Sequence, residues 1–441
     1  MKRKVNLIIL TVMLAVLCLG LFAACSSKAV DYFKYSESEL GWVGKIVRWI
    51  HVKLLGEGKY GWAVVVFTIF LKLITLPLDI WQRISTRKSA LKMQKIQPLM
   101  EEIDKRYGAN TQRANAEKQK LYKKQGYSMF STCLPMIVTM VIFFIMFGGL
   151  RDYSTYSTVM NFRGLSDTYL ESYVEQVQKD TENPNFEAYW NGTTVSGKEW
   201  KGFAHYQEQA GDKTENYEKW VRQIYNGIDE FGNFFDNDDF AKYQQGALAA
   251  VKEYYKSHHE SWLWIENVWQ PDTWASVMPA FNDRTNGFSS SVNMKAFGTD
   301  GGEEHYNMIR NTVLKGSGHG KNGSWNGLML LPVFSIGLSF LSIFISQRMD
   351  KKNRKKQDAD APKQNMQQAA TNKTMMIIMP LMMAFFGFMY TGAFAIYMVC
   401  NYALSILATI ALRWPVEKIV QRNLAKSEKK EKKPSKADYM R

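Results

Sequence analysis

Apolar residues in this chain gather into long runs instead of alternating with polar ones. The first run, Val5 to Leu21, follows Lys2, Arg3 and Lys4 and closes in Leu21-Phe22-Ala23-Ala24-Cys25. Five more occupy residues 62–80, 132–150, 327–347, 375–391 and 392–413. Each approaches the ~20 residues an α-helix needs to cross ~30 Å of hydrocarbon. The pattern predicts an all-α integral membrane protein with five transmembrane helices after a cleaved signal peptide. Thr391-Gly392 is the only link between the last two runs, which makes them an antiparallel helical hairpin.

The opening run has a charged start, an apolar middle and small residues before a cysteine, as a cleavable secretory signal has. The cysteine directly after Ala23-Ala24 resembles a bacterial lipoprotein lipobox, which implies cleavage after residue 24 and a lipidated, palmitate-bearing Cys25 as the first residue of the mature chain; the competing reading is an uncleaved membrane anchor. Charge along the chain then sets an orientation. Residues 83–131 carry 12 Lys+Arg against 4 Asp+Glu, residues 347–374 carry 8 against 3, and residues 413–441 carry 10 against 4. Residues 151–326 carry 16 against 25. Lys and Arg are retained on the cytoplasmic side. The expected order is an extracytoplasmic segment 25–61, a cytoplasmic helical hairpin 81–131, an extracytoplasmic loop 151–326, a cytoplasmic basic loop 348–374 and a basic cytoplasmic tail 414–441. Signal and charge bias agree, and together they place the protein in a bacterial cell membrane, multi-pass, with a lipid anchor on the outer face.

Composition adds little to this but excludes much. The formal net charge is +15 over 441 residues, 46% of them hydrophobic. The apolar runs rule out a single soluble domain and a disordered chain. Cys18, Cys25, Cys133 and Cys400 all lie in or beside apolar runs, so the polar middle has no disulfide or zinc framework. There is no G-x-x-x-x-G-K-[ST] and no H-E-x-x-H sequence. No cofactor and no enzymatic activity are expected.

Lys72 breaks the rule for an ordinary membrane helix, because it stands near the middle of the 62–80 run. A charge at mid-bilayer costs roughly 2.5–3.5 kcal/mol on insertion scales. It needs a partner or a water-filled cavity. Asp79 shares its helix face but lies ~10 Å along the axis, so no direct ion pair is expected and a hydrated cavity is favoured. Neutral polar residues in the other runs supply the candidate lining: Thr139, Ser335, Ser339 and Asn401. Ser335, Ser339 and Ser342 share one helix face and also suit close helix packing, the reading slightly favoured for them. The methionines of the 375–391 run read mainly as membrane filler.

Ile96, Leu99, Met100, Ile103 and Tyr107 recur at helical spacing and predict the first arm of the hairpin, with Pro98 as a helix start or kink. Gly108-Ala109-Asn110 is a turn and 114–124 the second arm. In the polar middle, 167–179, 216–225 and 240–255 read as short helices of a mainly helical extracytoplasmic insertion.

Thr68-Ile69, Lys72-Leu73, Leu76-Pro77-Leu78, Met93-Gln94-Lys95-Ile96-Gln97-Pro98 and Tyr107 resemble the first core helix and cytoplasmic hairpin of the YidC/Oxa1/Alb3 membrane protein insertases. Cys133-Leu134-Pro135 with Ile142-Phe143-Phe144 is similar to the start of the family's second core helix. Ser261-Trp262-Leu263-Trp264-Ile265, Asp272 and Pro279 resemble the stretch leading into the third, and Gly392-Ala393-Phe394, Ile396-Tyr397 and Asn401 the last hairpin. Together with the lipobox-like Cys25, the match looks like the Gram-positive lipoprotein type. The resemblance implies a chaperone-like insertase that moves nascent membrane proteins into lipid through a hydrophilic groove, alone or with the Sec translocon. The implied partners are nascent membrane proteins, membrane lipids, the Sec translocon and the ribosome, with no specific nucleic acid. The family's mid-membrane arginine is Lys72 here, which keeps the charge and loses the planar fork. Thr139, Met398 and Leu407 also depart from the family's usual residues. The insertions at 152–260 and 281–325 have no counterpart in that pattern. An anion-selective channel or transporter with Lys72 as its anion site is the alternative.

Overall fold

The computed structural model describes residues 29–107, 111–124, 129–282, 287–294, 302–315, 317–319, 324–355, 388 and 390–431. The signal segment with Cys25, nearly all of the 375–391 run, most of the loop 348–374, the end of the tail and the side chains of Cys133 and Thr139 lie outside this description.

Two very long helices organise the chain. After a short helix α1 (Trp42–Arg48), which continues as a π-helical stretch Trp49–Leu55, helix α2 spans Tyr60–Tyr107 as 48 residues. It holds the 62–80 run and the first hairpin arm without a break. Pro98 is therefore not a helix start but lies inside the helix, as does Pro77. Each proline lacks the N–H that would bond four residues back, a cost that tertiary packing offsets here. Helix α3 (Thr111–Lys124) folds back on α2 and completes the hairpin. Ile96 and Met100 are buried in it, while Leu99 of the same predicted stripe is exposed.

Helix α4 (Met129–Lys179, 51 residues) carries the second apolar run and continues straight into the polar middle of the chain. The predicted short helix at 167–179 is its far end. Around that end pack α5 (Phe186–Asn191), α6 (Gly202–Ala210), α7 (Tyr217–Phe235) and α8 (Asp238–His258), with α9 (Glu303–Leu314) beside α8. Strands β2 (Thr193–Val195) and β3 (Lys198–Trp200) form a small antiparallel hairpin. Strand β1 (Val30–Asp31) pairs in parallel with β4 (Val292–Asn293). Both insertions and the first described residues thus share one head unit. Its core is aromatic: Tyr32, Phe162, Tyr169, Tyr173, Trp200, Phe203, Phe231 and Tyr306 are fully buried together. An acidic, Tyr- and Trp-rich composition gives this unit a polar surface and a ring-packed centre.

A second core joins the head to the apolar helices. Val43, Val47 and Ile50 of α1 and the adjoining turn pack with Phe147 and Leu150 of α4. The close approach needs Gly149, where an added Cβ would lie 2.2 Å from Val43. Tyr60 stacks on Trp269 with centroids 3.9 Å apart. Beside them, Glu260 accepts the backbone N–H groups of Gly58 (3.0 Å) and Tyr60 (3.1 Å) at the start of α2. The His51 ring is 3.0 Å from Glu260 and 2.8 Å from the Tyr153 hydroxyl. Burial pushes the Glu260 carboxyl up, but His51 and the two N–H groups outweigh it and hold it below its ordinary value. A depressed folded value means the contribution is fully present above the unfolded value, roughly pH 4.3, and is lost as pH falls through the folded one. Glu260→Gln is expected to flatten the acid limb of the melting temperature against pH, measured in detergent. An unchanged acid limb would remove Glu260 from the account.

Helix α10 (Leu330–Lys355) packs on α11 (Gly392–Ala411), and α12 (Arg413–Glu431) runs back along α2. Pro415 falls in the first turn of α12, where its missing N–H has no partner to lose. Val416 and Val420 of α12 pack on Leu91 of α2. The basic tail expected from residue 414 therefore begins as a docked helix.

The N-terminus of α10 is held by a buried carboxylate. Asp272, with no exposed surface, accepts the backbone N–H groups of Leu328 (2.9 Å), Met329 (3.1 Å) and Leu331 (2.8 Å) and the indole of Trp264 (3.2 Å). It satisfies donors that a helix start leaves orphaned and complements the positive end of the dipole. A Cβ at Gly327 would fall 2.0 Å from Asp272, so glycine is required there.

Candidate intramembrane polar site

Tyr60–Met93 and Gly392–Ala411 are long and apolar enough to cross a membrane, and Leu330–Ser346 is a shorter apolar helix. Their apolar side chains point outward. Leu73 and Ile74 of α2 are 64% and 60% exposed, Phe344 of α10 is 56% exposed and Leu407 of α11 is 61% exposed. An apolar surface this broad has lipid as its solvent.

Polar groups face the other way. A cavity of about 420 Å³ is lined by Lys72, Asp79, Arg83 and Arg87 of α2, Ser342 of α10, Ser405 of α11 and Arg413 and Glu417 of α12, among others. A smaller cavity of about 170 Å³ adjoins the same residues and includes Thr68, Tyr397 and Asn401. Lys72, Asp79, Gln82 and Ser405 belong to both linings. Four helices line the larger cavity, which begins at Lys72 and extends along α2 toward α12, and α4 joins α2 and α11 around the smaller one.

Lys72 is not a lone charge. Its Nζ is 2.7 Å from Asp79 Oδ2 and donates to Ser405 Oγ at 3.0 Å. The expectation that Asp79 lies too far to pair is corrected. The ~10 Å between the two turns is an axial rise, and a lysine stem plus an aspartate arm on one face span it. Lys72 and Asp79 side chains keep 15% and 13% of their surface. The Arg83 guanidinium reaches the Ser405 carbonyl at 3.5 Å. Arg87 donates through Nε (3.1 Å) and Nη2 (3.4 Å) to the two carboxylate oxygens of Glu417, a forked pair that fixes α12 against α2.

The other sequence candidates divide. Asn401 lines the smaller cavity beside Lys72. Ser335 and Ser339 are buried, and their hydroxyls return to carbonyls of their own helix, Pro332 and Ile336, each at 2.8 Å. Neither lines the two cavities, and their small size lets α10 approach α11. Ser342, the third of that stripe, does reach the larger cavity. The Thr139 side chain lies outside the described residues. Asp79, Ser405, Arg83, Arg87 and Glu417 were missed as site residues. Asp79 was within reach of sequence reasoning, seven residues from Lys72 on one face; Ser405 and Glu417 depend on how distant helices pack. Among the described residues no group of three or more His, Cys, Asp or Glu side chains is placed to hold a metal ion.

Apolar helices turned to lipid around a polar interior define an all-α membrane protein. Residues 49–181 match the family model described as 60Kd inner membrane protein. The chain is 38% identical over 117 residues to the membrane protein insertase YidC of Caldanaerobacter subterraneus subsp. tengcongensis, covering 26% of this chain and 53% of that protein. It is 38% identical over 108 residues to the YidC of Oceanobacillus iheyensis (23% and 41%) and 33% identical over 124 residues to that of Stenotrophomonas maltophilia K279a (27% and 20%). The matched stretch thus spans about half or less of these relatives. No solved structure gives a significant match. Over this stretch the chain is similar to the membrane protein insertases of the YidC/Oxa1/Alb3 family.

Proposed function

We propose that this protein inserts nascent membrane proteins into the bacterial cell membrane through the polar cavity beside Lys72, alone or alongside a Sec translocon and ribosome. The observation that carries the reading is the cavity of about 420 Å³ set among helices whose outer surfaces are apolar. A polar segment of a substrate enters from the α12 end, where Arg413 and Glu417 stand, and moves toward Lys72. Water and fixed polar groups inside the cavity shorten the low-dielectric path that segment must cross. The hydrophobic part of the substrate meanwhile leaves water for lipid, gaining roughly 25 cal/mol per Å² of apolar area. No bond is made or broken.

In this reading five helices cross the membrane after a cleaved lipoprotein signal, Cys25 anchors the mature chain on the outer face, and the head unit is extracytoplasmic. The hairpin of α2 and α3 with helix α12 is cytoplasmic. The relatives' shared name, membrane protein insertase, supports the activity. The alternative, an anion channel or transporter using Lys72, is weakened by the ion pair with Asp79, which neutralises the proposed anion site.

The test uses a photoreactive residue at Ser342, in the cavity lining, and at Phe344, on the exposed side of the same helix. With ribosome-stalled single-spanning substrates, position 342 is expected to label the polar flank of the nascent chain and position 344 its hydrophobic segment. Absence of nascent-chain labelling at 342, with anion flux through reconstituted protein, would replace the insertase with the channel.

A further inference from the structure

Asp79 stands between two cations of the same helix. It is paired to Lys72 at 2.7 Å, seven residues before it, and Arg83 follows four residues later on the same face. Both cavities reach Lys72 and Asp79, so the pair is bathed by the space a substrate would occupy. An ammonium has three protons to donate. One is donated to Ser405, and the ammonium is held 2.7 Å from the Asp79 carboxylate, so both neighbours compete with an incoming group. The pair as a whole is neutral, so it attracts a distant carboxylate far less than a free ammonium does.

We propose that Asp79 is a specificity-determining residue: an internal carboxylate that occupies Lys72 and that an acidic substrate segment must displace. This rests on the insertion reading above and goes further, because it assigns the selectivity of the cavity to one side chain. Displaced from Lys72, Asp79 has a second partner within reach, since an acid four residues before an arginine on a helix is the favourable order for pairing. The cavity also supplies water along the way. The exchange therefore replaces one ion pair by two, Lys72 with the substrate carboxylate and Asp79 with Arg83. A neutral polar segment performs no such exchange and passes beside the closed pair. Asp79 thus lowers the advantage of acidic segments over neutral ones and broadens what the cavity accepts.

The experiment is a competition in proteoliposomes holding the full-length protein. Two single-spanning substrates differ only in an outer tail that is Asp-rich or has each Asp replaced by Asn. The readout is the ratio of acidic to neutral tails reaching the protected side. Asp79→Asn is expected to raise that ratio by roughly two- to fivefold, the size of the coupling in a partly exposed ion pair. Asp79→Glu, which keeps the charge, is expected to leave the ratio near the wild-type value. Adding Lys72→Gln to Asp79→Asn is expected to remove the rise. A ratio unchanged in Asp79→Asn, or raised equally in Asp79→Glu, overturns the proposal while leaving insertion intact. If Asp79→Asn does not yield folded protein, Ser405→Ala with Asp79→Glu serves instead: the ratio is expected to stay low, and a rise without loss of the carboxylate overturns the assignment. Wild-type protein that inserts neither substrate would instead refute the insertion reading itself.

Discussion

Lys72→Glu is expected to reduce insertion of single-spanning substrates with acidic outer tails by at least roughly tenfold, the equivalent of about 1.4 kcal/mol. The substitution puts a second carboxylate where Asp79 already points, within a few ångströms in a partly dehydrated space. At an effective dielectric of about 20, like charges ~4 Å apart repel by up to roughly 4 kcal/mol. The Ser405 hydroxyl loses its donor as well. Lys72→Ala is expected to fall between this variant and the wild type, because it leaves Asp79 unpaired without adding repulsion. Lys72→Arg keeps the charge and the reach and is expected to be tolerated. Protease protection of substrate in proteoliposomes measures all three. Normal insertion by folded Lys72→Glu protein would mean that the cavity is not the route.

Asp272→Ala has the largest expected effect on stability. One buried side chain serves three backbone donors and an indole, and the Leu331 N–H is buried with it. Removing a buried charged acceptor and leaving its partners unsatisfied costs about 3–5 kcal/mol. Asp272→Asn keeps one acceptor oxygen and loses the negative charge at the start of α10, which costs on the order of 1–2 kcal/mol. The two variants should therefore melt in that order below the wild type in detergent. The lesion is local in origin. It loosens α10, and with it Ser342 at the cavity wall. Equal melting temperatures for Asp272→Ala and wild type would show that the start of α10 is held by something else.

Much of the architecture was legible in the chain because lipid imposes a simple rule. Runs of apolar residues near 20 long have few alternatives to a helix. The hairpin was legible for a different reason, since its stripe keeps a helical period from Ile96 to Tyr107. What the pattern hid was continuity. Polar and apolar stretches of α2 and α4 look like separate elements, yet backbone geometry does not change where the solvent does. The head unit was less legible still. Its core joins Tyr32 to Phe162 and Tyr306, residues far apart in sequence, and no local period records such contacts. At the site, Lys72 was visible because a mid-run charge is costly, and Asn401 because it is polar in an apolar run. Asp79 was misjudged because axial rise was taken for charge separation. Ser335 and Ser339 were placed in the lining although each satisfies its hydroxyl within its own helix, the reading their stripe had slightly favoured.

Pro77 lies in α2 between Lys72 and Asp79. A proline there cannot donate to the carbonyl four residues earlier, so the rod lacks a rung between the two members of its ion pair. Bending at that rung opens or closes the gap between ammonium and carboxylate. Beyond it α2 continues for 30 residues to Tyr107, on the order of 45 Å at 1.5 Å per residue, with Pro98 as a second proline on the way. A load on the hairpin tip would therefore act through a long lever on a short fulcrum, and the lock on Lys72 would loosen from a distance.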